Sequence, residues 1–173
     1  MSEGLGVGIR RAKTDDLSAI RAIMNDAIAN TTAWYDTRLR TEQDVETWFA
    51  DKRAGGWPVF VAVDQTDQCL GFGTFDVFRA RPAYSRTVEH SVYLSRDARG
   101  LGAGRLLVDA LVCEAEGREL HVLIGGVDSE NTGSIAFHEA MGFREVARLP
   151  EVGYKFDRWL TMVFMQRILG EPE

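Results

Sequence analysis

The chain has 173 residues, of which 45% are hydrophobic, and a formal net charge of −6. This size and apolar content support one compact domain with its own core, residues 1–173. The sequence has no run of eighteen apolar residues, no signal-peptide pattern at its start, and no metal-like or disulfide-framework spacing of Cys69 and Cys113 or of its three histidines. We therefore expect a soluble, cytoplasmic protein without a metal site and without a membrane or nucleic-acid partner.

The periodicity of apolar residues predicts an alternation of strands and helices along the chain. Apolar positions at 3.6-residue spacing indicate helices, and short apolar or alternating runs between turn residues indicate strands. In chain order we predict strand 7–12, a helix capped by Thr14 with its apolar face at 17–28, a helix from Thr41 to the glycines at 55–56, strands 58–63, 69–78 and 88–94, a helix with its apolar face at 103–111, strand 120–126, helix 130–141, and paired strands 143–149 and 154–168. The order βααβββαβαββ predicts an α/β (α+β) fold with one mixed, mostly antiparallel sheet covered by helices on both faces.

A glycine-rich loop follows the predicted strand 88–94. A polar turn at 95–97 leads into the sequence Arg99-Gly100-Leu101-Gly102-Ala103-Gly104-Arg105, which opens the next helix. Closely spaced glycines let a ligand approach bare backbone, and the first N–H groups of a helix lack partners within it, so such a loop favours a phosphate. Arg96, Arg99 and Arg105 make this stretch positive within an acidic chain. The loop is therefore a candidate anion site.

Two nucleotide-binding folds fit this loop poorly. A dinucleotide fold needs an acidic residue at the end of the next strand, but that strand ends with Ile124-Gly125-Gly126. A Walker loop needs Gly-Lys-Ser/Thr, whereas Gly104 is followed by Arg105 and Leu106. A glycine turn with only a structural role remains an alternative.

Five further stretches extend the pattern over nearly the whole chain. They are Thr87-Val88-Glu89-His90-Ser91-Val92-Tyr93, the run from Asn131 through Ser134 and His138 to Phe143, Val152-Gly153-Tyr154-Lys155-Phe156-Asp157-Arg158-Trp159, and the opening segments 9–12 and 25–33. With the glycine loop they resemble the phosphinothricin and methionine sulfoximine N-acetyltransferase family of the GNAT superfamily. The resemblance implies acetyl-CoA as co-substrate, direct acetyl transfer in a ternary complex to the primary amine of a small amino acid-like substrate, and a homodimer.

The resemblance also implies where the two substrates bind. The pyrophosphate of acetyl-CoA would lie on main-chain N–H groups of the loop, a backbone N–H near Leu94 would stabilise the oxyanion, and Asn131 would contact the pantetheine arm. The implied coenzyme contacts are Tyr93, Leu94, Arg99, Gly100, Leu101, Gly102, Ala103, Gly104, Arg105, Asn131 and Ser134. The implied amine-side contacts are Thr32, Trp34, Arg79, Arg81 and Tyr84.

Two titratable residues are the candidates for proton transfer. Glu89 lies inside an apolar strand, where an ionised carboxylate costs free energy unless it is paired or functional. It is either a structural partner of an arginine or the base that accepts the ammonium proton, with a pKa raised by burial. His138 comes two helical turns after Asn131, with Ser134 between them on one face. It is either a packed helix residue or, as the resemblance implies, the group that manages the proton of the thiolate.

The sequence departs from the resembled family at two positions, and other functions stay open. Met24 replaces a common tyrosine and Thr161 a usual aspartate, which leaves the amine itself undetermined. A non-catalytic sensor of coenzyme A would keep the loop without needing both Glu89 and His138. An acetyltransferase for protein N-termini would need an open peptide groove and not an arginine-lined pocket.

Overall fold

One seven-stranded sheet runs through the computed structural model, which describes residues 6–170. In chain order the elements are β1 (Gly8–Arg11), α1 (Leu17–Asn30), α2 (Glu42–Ala54), β2 (Val59–Val63), β3 (Cys69–Val77), β4 (Thr87–Leu94), α3 (Ala103–Gly117), β5 (Val122–Asp128), α4 (Thr132–Ala140), β6 (Arg144–Lys155) and β7 (Arg158–Ile168). The predicted element order and the mixed sheet are confirmed. The predicted lack of a signal peptide concerns residues 1–5, which lie outside the described residues, as do 171–173.

Helices cover both faces of this sheet, as predicted. The buried side chains of α1 and α2 pack on one face, against the alternate β2 residues Val59, Val61 and Val63 and against Phe72 of β3. On the opposite face α3 packs Val108 and Leu111 into a second core, which also contains residues of β4, β5 and β7. The segment after α4 adds Met141 and Phe143 to that second core. Strand alternation therefore sorts each apolar side chain into one of two layers.

The sheet opens in its middle, between β4 and β5. The strand order is β1-β2-β3-β4-β5-β7-β6, and β4 and β5 form its parallel pair while the other neighbours are antiparallel. Their pairing ends at His90 and Gly125, although β4 continues to Leu94 and β5 to Asp128. Ser95 donates its N–H to a β3 carbonyl, so alternation turns the N–H groups of Val92 and Leu94 toward the opening. Main-chain donors are thus available there, where the oxyanion group was expected.

Two predicted boundaries are wrong for identifiable reasons. Thr14 does not cap α1: it begins a short 3-10 turn, Thr14–Asp16, in which the buried Asp16 accepts the N–H of Lys13 and two bonds from Arg10. The final hairpin turns at Phe156–Asp157 and not near residue 150. Strand β6 passes through Pro150 with a register shift between Leu149 and Gly153. Proline is tolerated there because the irregularity lies on an edge strand.

Within residues 6–170, no helix is both long enough and apolar enough to cross a membrane.

Candidate active site

The glycine loop adopts the backbone that its sequence predicts. Gly100 and Gly102 have φ values of 80° and 82°, in the left-handed region that favours glycine. A Cβ atom at either position would meet no atom within 4 Å, so the backbone conformation, and not the packing, favours glycine there. Gly102 is the N-cap of α3 and provides no side-chain cap, which leaves the first N–H groups of that helix open to a ligand.

The positive charge of this loop is smaller than its sequence indicates. Arg96 donates two hydrogen bonds to Asp26 of α1, from Nε at 3.0 Å and from Nη2 at 2.7 Å, and this pairing lowers the pKa of Asp26. Arg105 lies 4.0 Å from Asp109. Arg99 lines the cavity beside the loop. The sequence could not show the first pair, because 70 residues separate Asp26 from Arg96.

A cavity of about 500 Å³ lies between this loop, β4, α1 and α4. It brings together eight of the predicted coenzyme and catalytic residues: Tyr93, Leu94, Arg99, Gly100, Gly104, Asn131, Ser134 and His138. The other four predicted loop residues, Leu101, Gly102, Ala103 and Arg105, lie beside it at the start of α3 and do not line it. The volume is that of an ordinary small-molecule site.

Helix α4 presents its polar side chains to this cavity, as the seven-residue spacing predicts. Asn131 is the N-cap, and its Oδ1 accepts the N–H of Ser134 at 3.1 Å. The Ser134 carbonyl lies 2.7 Å from Nδ1 of His138, which is 8% exposed. Because the amide oxygen of Asn131 caps the helix, its amide nitrogen is the part of the side chain that can donate to a ligand.

His138 meets a second histidine that the sequence analysis did not assign. Nε2 of His138 lies 3.1 Å from Nε2 of His90 on β4, and Nδ1 of His90 lies 3.0 Å from the Ile124 carbonyl. A Cβ on Gly125 would lie 2.7 Å from Cε1 of His90 and 3.0 Å from Nε2 of His138. Burial lowers the pKa of both rings, that of His90 to about 3. A buried polar residue within an apolar strand was the signal that could have identified His90.

Glu89 faces the opposite side of the sheet from this histidine pair. Neighbouring strand residues alternate in direction, and a Cβ on Gly126 would lie 3.2 Å from Oε1 of Glu89. Burial raises the pKa of Glu89, opposed by the charge of Arg79. Among residues 6–170 no arginine lies within ion-pair distance of its carboxylate. The structural arginine pair considered for Glu89 is therefore absent from the described residues.

A group of aromatic side chains adjoins Arg79, whose charge acts on Glu89. Phe78 makes edge contacts with Tyr84 and with Phe164 of β7, at 6.0 Å between ring centroids in each case. The guanidinium of Arg79 lies 5.2 Å from the centroid of Phe78. Arg79 and Tyr84 thus both contact Phe78, whereas Arg81, which precedes the 3-10 turn Pro82–Tyr84, joins none of these contacts.

The loop between α1 and α2 contacts β4, β5 and β6. Trp34 stacks on Tyr93 at 4.6 Å, and Nζ of Lys155 donates to the carbonyls of Thr31 and Trp34 at 2.8 and 2.5 Å. Tyr35 donates to Asp128 of β5 at 2.8 Å. Thr32, predicted on the amine side, takes part in none of these bonds.

The two departures from the resembled family lie apart from these contacts. Met24 is 2% exposed in the core between α1 and α2, and the Thr161 carbonyl accepts the N–H of Ser129 beyond β5. Lys155, Tyr35 and Asp128 make the hydrogen bonds that hold the loop between α1 and α2. The bonded partners lie 93 or more residues apart in the sequence, which explains why sequence reasoning missed them.

Comparison with known proteins agrees with this geometry. Residues 9–164 match the family model described as an acetyltransferase (GNAT) domain. The chain is 39% identical over 163 residues, 94% of each chain, to the L-methionine sulfoximine/L-methionine sulfone acetyltransferase of Pseudomonas aeruginosa. It is 37% identical to the phosphinothricin N-acetyltransferase of Alcaligenes faecalis, covering 94% of this chain and 82% of the relative.

A solved structure extends the likeness to three dimensions. The phosphinothricin acetyltransferase from Sinorhizobium meliloti, in complex with acetyl-CoA, superposes with a TM-score of 0.91 at 34% identity, covering 95% of this chain and 89% of that one. The full-length match, the open glycine loop at the start of α3 and the separation of β4 from β5 all agree. The chain therefore belongs to the GNAT family of acetyltransferases.

Proposed function

We propose that this protein transfers the acetyl group of acetyl-CoA to the primary amine of a small amino acid-like substrate of the methionine sulfone, methionine sulfoximine or phosphinothricin type. The observation that carries this proposal is the arrangement of two sites about one opening. The cavity beside the glycine loop contains His138 of α4, and Glu89 lies with Arg79 on the opposite face of the sheet from that histidine. The relatives named above act on amino acids of these kinds.

The coenzyme side would bind an anionic, elongated molecule through main-chain N–H groups. The N–H groups at the start of α3 would hold the pyrophosphate, with Arg99 adding charge. The main-chain N–H groups of Val92 and Leu94 point into the opening and would stabilise the charge that develops on the thioester oxygen.

The acceptor side would bind an amino acid and remove its proton. Arg79 offers a planar, permanently charged fork for the carboxylate. Glu89, with a raised pKa, would accept the ammonium proton so that the nitrogen lone pair can attack. His138, from the other face, would supply the proton that the departing thiolate needs.

Direct transfer fits the two cysteines, since neither is placed to carry an acyl group. Burial raises the pKa of the Cys69 thiol to about 11, and Cys113 is exposed on α3. A reactive thiol needs a lowered pKa.

The test is release of coenzyme A thiol from acetyl-CoA in the presence of amino acids, their sulfone, sulfoximine and phosphinate analogues, the decarboxylated amines, and short peptides. Arg79→Ala is expected to raise KM for the amino acid far more than KM for acetyl-CoA, because only the acceptor carboxylate is lost as a partner. Arg81→Ala serves as the comparison and should have the smaller effect. Equal activity on an amino acid and its decarboxylated amine would contradict the proposal, and preference for a peptide would favour an N-terminal acetyltransferase.

We further propose that the protein forms a homodimer through the β6–β7 hairpin. Six large apolar side chains of these strands and their turn are exposed: Val146, Leu149, Val152, Tyr154, Phe156 and Trp159. Strand β6 is an edge strand of the sheet. An exposed apolar patch on an edge strand supports a protein partner, and the like hairpin of a second copy matches its chemistry.

A further inference from the structure

We propose that His90 is a positioning residue for His138: its neutral ring accepts a hydrogen bond from Nε2 of His138, so that Nδ1 of His138 is the atom that releases a proton to the thiolate. This inference rests on the proposed function for its role in the reaction. Its physical basis is a hydrogen-bond chain through two buried rings, from the Ile124 carbonyl to the Ser134 carbonyl.

The tautomer of His90 follows from its partner on β5. Nδ1 of His90 lies 3.0 Å from the Ile124 carbonyl, and a carbonyl can only accept, so Nδ1 carries the proton. Burial and the neighbouring His138 ring hold the pKa of His90 at about 3, so this ring is neutral near pH 7. Its Nε2 therefore presents a lone pair to Nε2 of His138.

The protonation of His138 follows in turn. Its Nε2 lies 3.1 Å from the lone pair of His90, and two lone pairs at that distance repel, so Nε2 of His138 must be the donor. Its Nδ1 lies 2.7 Å from the Ser134 carbonyl, also an acceptor, so a proton on Nδ1 has a partner as well. Both contacts therefore favour the charged form of His138, which carries both protons. Burial lowers its pKa, while the Ser134 carbonyl opposes that effect.

The other groups around His138 do not replace His90 as the acceptor for Nε2. The neighbouring rings of Phe137 and Phe143 are uncharged. The charged residues that line the adjoining cavities are Asp26, Asp128 and Arg99, and Asp26 is bonded to Arg96. Glu89 lies across the sheet. Among residues 6–170, the side chains that make direct polar contact with the His138 ring are those of His90 and Ser134.

His138 supplies the proton that the sulfur needs. As the amine nitrogen bonds to the acyl carbon and the thioester C–S bond breaks, the sulfur takes the Nδ1 proton. His138 is left as a neutral ring that keeps its Nε2 proton, hydrogen-bonded to His90. The Ser134 hydroxyl, 3.4 Å from Nδ1, can then turn to donate to the vacated nitrogen. The ammonium proton that Glu89 accepts and the second proton that the nitrogen loses as the amide forms both pass to solvent, and one solvent proton recharges His138, so one proton is released per turnover. His90 touches neither substrate atom.

The test measures ring protonation directly, without any substrate. The chain has three histidines, and the third, His121, is exposed, so ¹⁵N-histidine NMR of the wild type and of His121→Gln assigns the buried pair. We expect the His138 pKa to fall by about 1–3 pH units in His90→Phe, which removes the acceptor. His90→Gln, whose amide oxygen can reach the same place, should restore part of that shift and also covers a failure of the phenylalanine variant to fold.

The kinetic counterpart is the basic limb of kcat. An acid that must be protonated gives a rate that falls as pH rises through its pKa, so this limb should move to lower pH in His90→Phe and partly return in His90→Gln, with KM values unchanged. An unaltered His138 titration in a folded His90→Phe protein would overturn the inference, as would a protonated Nε2 on His90. Absence of acetyl transfer to any amino acid with the NMR shift intact would instead contradict the proposed function and leave this inference standing.

Discussion

At the scale of single residues, Glu89 links the stability of the fold to its chemistry. Burial raises its pKa above the ordinary value of 4.5. The folded state therefore binds the proton more tightly than the unfolded chain does, and stability falls as pH rises from 4.5 through the raised pKa. At neutral pH the ionised carboxylate should thus cost stability, and a functional reading explains why it is present.

The first prediction concerns Glu89→Gln, which keeps the shape and removes the charge. We expect kcat to fall by about 10²–10⁴-fold, because a positioned base is lost, with little change in coenzyme affinity. We also expect Tm to rise at pH 7 and this gain to shrink toward pH 4, where the wild-type carboxyl is protonated. Glu139→Gln, an exposed change on α4, is the control and should alter neither quantity. Wild-type kcat on both sides of neutral pH would contradict the assignment.

The second prediction concerns Gly125, where the histidine pair leaves no room for a methyl group. In Gly125→Ala the new Cβ would meet His90 at 2.7 Å and His138 at 3.0 Å, and the neighbouring groups are ring atoms within a packed core. Overpacking of this kind costs about 1–3 kcal/mol of stability, and we expect kcat to fall as the rings separate. Gly117→Ala, where a Cβ meets nothing within 4 Å, is the matched control. Chemical denaturation and kcat measured on both variants decide the outcome.

At the scale of elements, the glycine loop and the start of α3 act as one unit. The positive φ of Gly102 turns the chain into the helix and leaves the helix N-terminus without a side-chain cap. That arrangement gives up a capping bond, worth about 1 kcal/mol in an ordinary helix, and leaves main-chain donors free for an anion.

The third prediction separates coenzyme binding from backbone strain. Gly102→Ala forces a left-handed alanine at a φ of 82°, and Gly56→Ala does the same at 70°, after α2. Both sites are open, so both variants should lose a similar stability, about 1–2 kcal/mol. Only Gly102→Ala is expected to weaken acetyl-CoA binding, because the backbone there would face the pyrophosphate. Calorimetric titration of both variants with equal affinities would contradict the loop's role.

At the scale of the whole molecule, the exposed apolar hairpin predicts self-association. Trp159 is 62% exposed and Val152 56%, and both lie on the two-stranded edge of the sheet beyond β5. Burying several such side chains against a second copy would remove a few hundred Å² of apolar surface from water, at about 25 cal/mol per Å².

The fourth prediction tests this dimer by sedimentation velocity. The wild type should sediment as a dimer at micromolar concentration, and Trp159→Glu should shift it to the monomer, because a carboxylate buried in that contact would lack a partner. Leu39→Glu, at a residue 51% exposed in the segment between α1 and α2, should keep the mass of the wild type. A wild-type monomer at that concentration would rule the dimer out.

The sequence alone determined the fold class, the element order and the glycine loop at the start of α3. These rest on short-range effects: apolar period, the glycine pattern of residues 99–104, and the seven-residue spacing of Asn131 and His138 on one helix face. Each depends on residues within about two helical turns of one another, so each can be recognised from the sequence. The final hairpin was misplaced because Pro150, an ordinary strand breaker, lies at an edge irregularity that only the pairing reveals.

Only the tertiary structure decided which charges and rings meet. Arg96 is bound by Asp26, His138 by His90, and Glu89 faces the other side of the sheet from both histidines. These contacts join residues 48 or more positions apart, whose approach depends on the sheet order and the register of β4 on β5. Alternation along β4 could place Glu89 and His90 on opposite faces, but which face carries α4 follows from how the layers pack.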